Sequence, residues 1–82
     1  MITEEHDEIM VRIARWMKSH REKYAPITPI SKVPNYSKYL HDLKKWDYVR
    51  GYKRGEVVYL TGFGWRYLAD KHPEIYKRHR SM

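Results

Sequence analysis

Residues 35–64 read NYSKYLHDLKKWDYVRGYKRGEVVYLTGFG, and the fold turns on how this stretch is read. Asn35 follows Pro34 and is a preferred helix-capping residue, so a helix is expected from Tyr36 to about Trp46. Leu40 and Leu43 recur at helical spacing on one face, with Tyr36 and Tyr39 flanking it. Ser37, Lys38, His41, Lys44 and Lys45 point elsewhere. Asp47 is the expected left-handed exit from that helix. Two short β-type runs follow, Tyr48 to Tyr52 and Val57 to Leu60, and Lys53-Arg54-Gly55-Glu56 between them reads as a basic hairpin tip. Thr61 then caps a further helix that offers Phe63, Tyr67 and Leu68 to the core. Gly64 in its first turn suits close packing against a neighbour. Pro73 ends or kinks this helix, and Glu74 to Arg80 either form a final basic turn or two or stay frayed.

Upstream, Thr3 can cap a helix running to about Lys18 or His20. Glu4, Glu5, Asp7 and Glu8 suit the positive end of its dipole, and Arg12, Arg15 and Lys18 follow toward the other end. Ile9, Met10, Ile13, Ala14 and Met17 form one core-facing stripe, with Trp16 beside it as a core or subunit-contact residue. Tyr24 to Pro34, YAPITPISKVP, carries three prolines and excludes a long helix. Thr28-Pro29 resembles an N-cap followed by a first helical residue, so a short helix is expected over Pro29 to Val33 with Ile30 and Val33 turned inward. The expected order is α-α-α-β-β-α in one domain spanning 1–82, mainly α with a two-stranded hairpin.

Eighty-two residues support one small core. With no cysteine, disulfides and thiolate metal sites are excluded, which fits a reducing compartment. No apolar run approaches the roughly 20 residues of a membrane span, and the acidic start is unlike a signal peptide; a cytoplasmic protein is expected. The net charge is +7, unevenly spread. Residues 1–24 are neutral, 25–34 carry +1, 35–66 carry +4 and the remainder +2. The excess therefore falls on the central helix and hairpin, a distribution that suits a polyanionic partner.

The spacings Leu40-x-x-Leu43-x-x-x-x-x-Val49 and Tyr59-Leu60-Thr61-x-x-Gly64-x-x-x-Leu68 resemble those of winged helix-turn-helix transcription regulators of the MarR, ArsR and PadR kinds. The likeness covers about residues 9–68, and the second spacing is the more specific. The usual glycine between recognition helix and wing is replaced at Trp46-Asp47, and the long C-terminal dimer helices of many such regulators have no counterpart in these residues. Small size and richness in Tyr, Lys and Arg are similar to small regulators of archaeal viruses and plasmids. The resemblance implies a sequence-specific binder of double-stranded DNA, with a recognition helix over about 36–46 in the major groove. The wing, over about 49–60, would lie on the adjacent groove or backbone. Asn35, Ser37, Lys38 and His41 would then meet bases, while Tyr36, Lys44, Lys45, Arg50, Lys53, Arg54 and Arg66 would meet the DNA backbone. A homodimer on an inverted repeat is implied too, in the nucleoid or in the host cytoplasm if viral. The residues themselves point to no cofactor, metal, membrane or small-molecule ligand.

Catalysis is not expected. The chain has no Gly-rich phosphate loop, no GxSxG and no HExxH, and its five histidines are scattered. Two alternatives stand beside DNA binding. One is a protein-docking or assembly module, favoured if Trp16, Trp46 and Trp65 gather on one exposed face. The other is RNA or single-stranded DNA binding through exposed aromatics.

Overall fold

The computed structural model describes residues 1–52 and 56–75, so the hairpin tip with Lys53 and Arg54 and the expected last basic turns after Ile75 lie outside the described residues. The first helix, α1 (Glu4–His20), begins at Thr3, whose backbone is extended and whose Oγ1 accepts the His6 N–H. His6 returns the favour: its Nδ1 accepts the Thr3 backbone N–H at 2.9 Å. This is a capping box with histidine where Glu or Gln is usual. Ile9, Met10, Ile13 and Ala14 are fully buried, as their stripe implies, and Met17 is half-buried. Arg21 ends the helix in a left-handed conformation, φ 53°.

The proline-rich connection contains a strand that its sequence conceals. β1 (Ala25–Pro26) pairs antiparallel with β3 (Val57–Leu60), Ala25 opposite Val58. It is an edge strand, where a proline without an N–H leaves no ladder bond unmade. The helix expected over Pro29 to Val33 is not formed. Successive turns replace it, with Ile30 N–H to Ile27, Ser31 N–H to Ile27, Val33 N–H to Ile30 and Tyr36 N–H to Val33. Pro29 and Pro34 bracket too few N–H groups for a helical ladder to propagate. Ile30 and Val33 are buried nonetheless.

α2 (Tyr36–Lys45) lies where the helix was expected, with Leu40 and Leu43 buried, but its start differs. Asn35 adopts φ 60°, ψ 30° and makes no side-chain cap. Its carbonyl instead accepts from Lys38 and Tyr39, because the preceding turn leaves Asn35 left-handed, a geometry asparagine tolerates. The helix ends as expected at left-handed Asp47, φ 64°. Asp47 N–H bonds Lys44 and Tyr48 N–H bonds Leu43, the paired closure that satisfies terminal carbonyls.

β2 (Val49–Tyr52) and β3 form the hairpin, but β1 makes the sheet three-stranded, in the order β1-β3-β2, rather than the two-stranded unit expected. The observed order is α-β-α-β-β-α, a small α+β domain. Ala25, Val49, Val58 and Leu60 turn to the helices and join one core cluster with α1 and α2 residues, Leu68 and Ile75. α3 (Gly62–Lys71) starts at Thr61, whose Oγ1 accepts from Gly64 N–H at 3.2 Å and donates to the Asp47 carbonyl at 2.6 Å. Gly64 is buried directly against the Tyr48 carbonyl, leaving no room for a Cβ. Leu68 is buried and Tyr67 half-buried, whereas Phe63, expected in the core, is 57% exposed. In α3 it falls off the stripe that buries Gly64 and Leu68.

Candidate nucleic-acid interface

Five polar side chains of α2 share one exposed arc: Ser37, Lys38, His41, Lys44 and Lys45. The opposite face buries Leu40 and Leu43. At 3.6 residues per turn the arc is the direct complement of that apolar stripe. Asp42 closes its border and is engaged sideways by buried His6, Nε2 to Oδ2 at 2.9 Å. Because His6 Nδ1 already accepts a backbone N–H, the ring proton is on Nε2, and it donates to the carboxylate. That hydrogen bond, first among its causes, holds the Asp42 carboxyl below its ordinary value. Tyr39 meets the His6 ring edge-on at 4.9 Å, and Trp46 lies tilted at 5.0 Å from it. The α2 arc is thus held on α1 by a histidine clamp rather than by apolar packing alone.

Sequence reasoning missed this role for His6. Its signal was there: His6 precedes Ile9, Met10 and Ile13 by three, four and seven residues and so continues their stripe.

Lys44 joins the helix to the hairpin. A Cβ built on Gly51 would come within 2.9 Å of Lys44 Nζ and 3.2 Å of its Cε, so the lysine stem lies along the bare backbone of β2. Beside the helix start, Ile27, Tyr36, Ser37, Leu40, His41 and Lys44 line a shallow groove of about 320 Å³. Tyr36 is half-buried in it, and Asn35, the residue before, is exposed.

The expected backbone-contact residues do not all gather there. Arg50 pairs directly with Tyr59 across the hairpin and so shares its face. Gly51, next in the strand, pairs with buried Val58 on the opposite face, the one that receives Lys44. Arg50 therefore lies on the outer side of the sheet, away from α2. Arg66 lies with it, since both line a concavity of about 490 Å³ with Asp47, Tyr59 and Phe63. Arg50 is also engaged by Asp47, Nε to Oδ1 at 2.9 Å, which holds its guanidinium more firmly protonated. The seven expected backbone contacts thus divide between two surfaces, apart from Lys53 and Arg54, which are outside the described residues.

The tryptophans do not form one surface. Trp16 stacks on His20 at 3.9 Å, while Trp46 touches His6, fourteen residues back along α1. At 1.5 Å per residue that separates the two contacts by roughly 21 Å. Among the described residues there is no group of three or more metal-ligating side chains and no helix long and apolar enough to cross a membrane. Comparison with protein-family models, curated proteins and solved structures finds no match to this chain.

Proposed function

We propose that this protein is a winged helix-turn-helix regulator that binds double-stranded DNA sequence-specifically, with α2 in the major groove and the β2–β3 hairpin as the wing. One observation carries the reading: the exposed arc of α2, with three lysines, a serine and a histidine, is continuous with the hairpin through Lys44 over Gly51. The β1-β3-β2 order supports the winged assignment, with the turns after Ile27 standing where a second helix is expected. In this reading Asn35, Ser37, Lys38 and His41 read base edges, and Tyr36, Lys44 and Lys45 meet the backbone. Lys53 and Arg54 anchor the wing. Arg50 and Arg66, facing away from α2, drop out of the duplex surface.

The test is selection of duplexes from a random pool, followed by titration of the winner at several salt concentrations. Log K should fall with log salt at about −0.9 per phosphate neutralised. Lys38→Ala should cost about 1–3 kcal/mol on the preferred site and relax its sequence preference. If the folded variant weakens preferred and random duplexes equally, α2 is not the reader.

A further inference from the structure

The outer face of the sheet carries chemistry that the duplex surface does not use. Strand alternation sends Arg50, Tyr52, Val57 and Tyr59 to that side, with Arg50 opposite Tyr59 and Tyr52 opposite Val57. Tyr24, just before β1, joins them. Its ring stacks on Tyr52 with centroids 5.5 Å apart and planes 10° from parallel, and it meets Tyr59 edge-on at 5.5 Å. Tyr24 and Tyr52 are 41% and 52% exposed, and Phe63 stands at the adjoining start of α3. Between Tyr59 and Phe63 opens the concavity of about 490 Å³, flanked by Arg50 and Arg66.

Two features decide what covers this face. The first is charge. Asp47, the one carboxylate lining the concavity, is engaged by Arg50, and among the described residues Arg66 makes no ion pair. The face therefore has surplus positive charge on a chain of net charge +7. The second is that the two guanidinium groups adjoin flat rings: Arg50 stands opposite Tyr59 across the hairpin, and Arg66 lines the same concavity as Phe63. A protein-docking patch gathers its apolar groups at a centre and leaves the polar ones at the rim. Here a cluster of tyrosine rings runs into a cationic concavity, an arrangement that can take bases on the rings and phosphates at the arginines of one chain. A duplex hides its base faces within the stack, so only a single strand offers them to tyrosine and phenylalanine rings.

We propose that this outer face binds single-stranded nucleic acid. Bases stack on the Tyr24–Tyr52 pair and on Phe63, and Arg66, with Arg50 beside it, neutralises the phosphates. The site is separate from the α2 arc and does not depend on the duplex reading.

The test is fluorescence anisotropy of a labelled oligothymidylate of about 12 nucleotides with the whole chain, run beside the selected duplex. Single-strand binding should weaken as salt rises. Tyr52→Leu and Phe63→Leu should each weaken it about 5- to 150-fold, because leucine keeps the apolar bulk but not the π-face. Arg66→Gln should reduce the salt slope by about 0.7. Lys38→Ala should act on the duplex and not on the single strand. Circular-dichroism melting shows whether each variant is folded. Absence of single-strand binding at low salt overturns the proposal, as does binding that folded Tyr52→Leu and Phe63→Leu leave intact. Self-association in sedimentation that these same substitutions abolish also overturns it, since the face then belongs to a second copy. A chain that binds the single strand through these residues but no duplex supports this site and removes the duplex reading alone.

Discussion

His6 and Asp7, neighbours in the first turn of α1, each reach a different element. His6 donates to Asp42 of α2, whereas Asp7 accepts the Tyr67 hydroxyl at 2.7 Å and faces His72 Nε2 at 2.9 Å. One turn of α1 thus holds both α2 and the end of α3. Burial first, and the Asp7 hydrogen bond second, push the Tyr67 phenol up from its ordinary value of 10.0. A raised folded value means the folded state keeps the proton longer than the unfolded chain does. Tyr67's contribution is therefore fully present below about pH 10 and is lost as pH rises toward the folded value. Tyr67→Phe should cost about 1.5–3 kcal/mol at neutral pH through the lost bond to a carboxylate. It should also flatten the decline in stability above pH 10. Urea unfolding between pH 7 and 11 measures both, and an unchanged alkaline slope in the variant would refute the assignment.

At the scale of elements, the two glycines opening α3 act differently. A Cβ at Gly62 would meet nothing within 4 Å, whereas one at Gly64 would overlap the Tyr48 carbonyl and press Leu60. Alanine favours a helix interior by about 0.5–1 kcal/mol over glycine, but forcing atoms into a packed contact costs about 1–3 kcal/mol. The obstruction at Gly64 is backbone, which cannot swing aside, so overpacking wins there. Gly64→Ala should lower the melting temperature by roughly 4–8 °C per kcal/mol lost, and Gly62→Ala should leave it level or raise it slightly. Equal behaviour of the two in thermal unfolding would mean that α3 does not rest on the β2 entry as described. The same junction carries Thr61, which caps α3 and holds the Asp47 carbonyl, so the exit of α2 and the start of α3 are one joint.

For the whole molecule, a single α2 covers only a few base pairs, and a two-fold pair reading half-sites about one helical turn apart doubles the information. The duplex reading therefore carries an expected stoichiometry of two chains per selected site. Sedimentation of the complex at micromolar concentration checks this, and one chain per best site would remove the dimer. Such a pair would use a surface other than the outer sheet face, so Phe63→Leu should leave the two-chain complex in place.

Much of this architecture was legible in the chain. Helical spacing of Ile9, Met10 and Ile13 and of Leu40 and Leu43 declares two buried faces, and the Lys-rich complement of the second is the exposed arc of α2. Asp47 as a left-handed exit, Thr61 as a cap and Gly64 as a close-packing site are local requirements of backbone geometry, which is why sequence reveals them. What needed the tertiary structure was contact between residues far apart in the chain. β1 is two residues with a proline, and it becomes a strand only because β3 presents an edge to it. Asn35 looks like a cap, but the turn before it takes over its backbone. His6 declares its burial by spacing, yet nothing near it names Asp42 as its partner, 36 residues on. Arg50 and Lys44 read alike as basic residues six apart, and only the pleat of β2 divides them between two faces of the sheet. Periodicity along a chain encodes which side of an element is apolar; which polar groups meet across space is settled by packing, where long-range contacts overrule local preference.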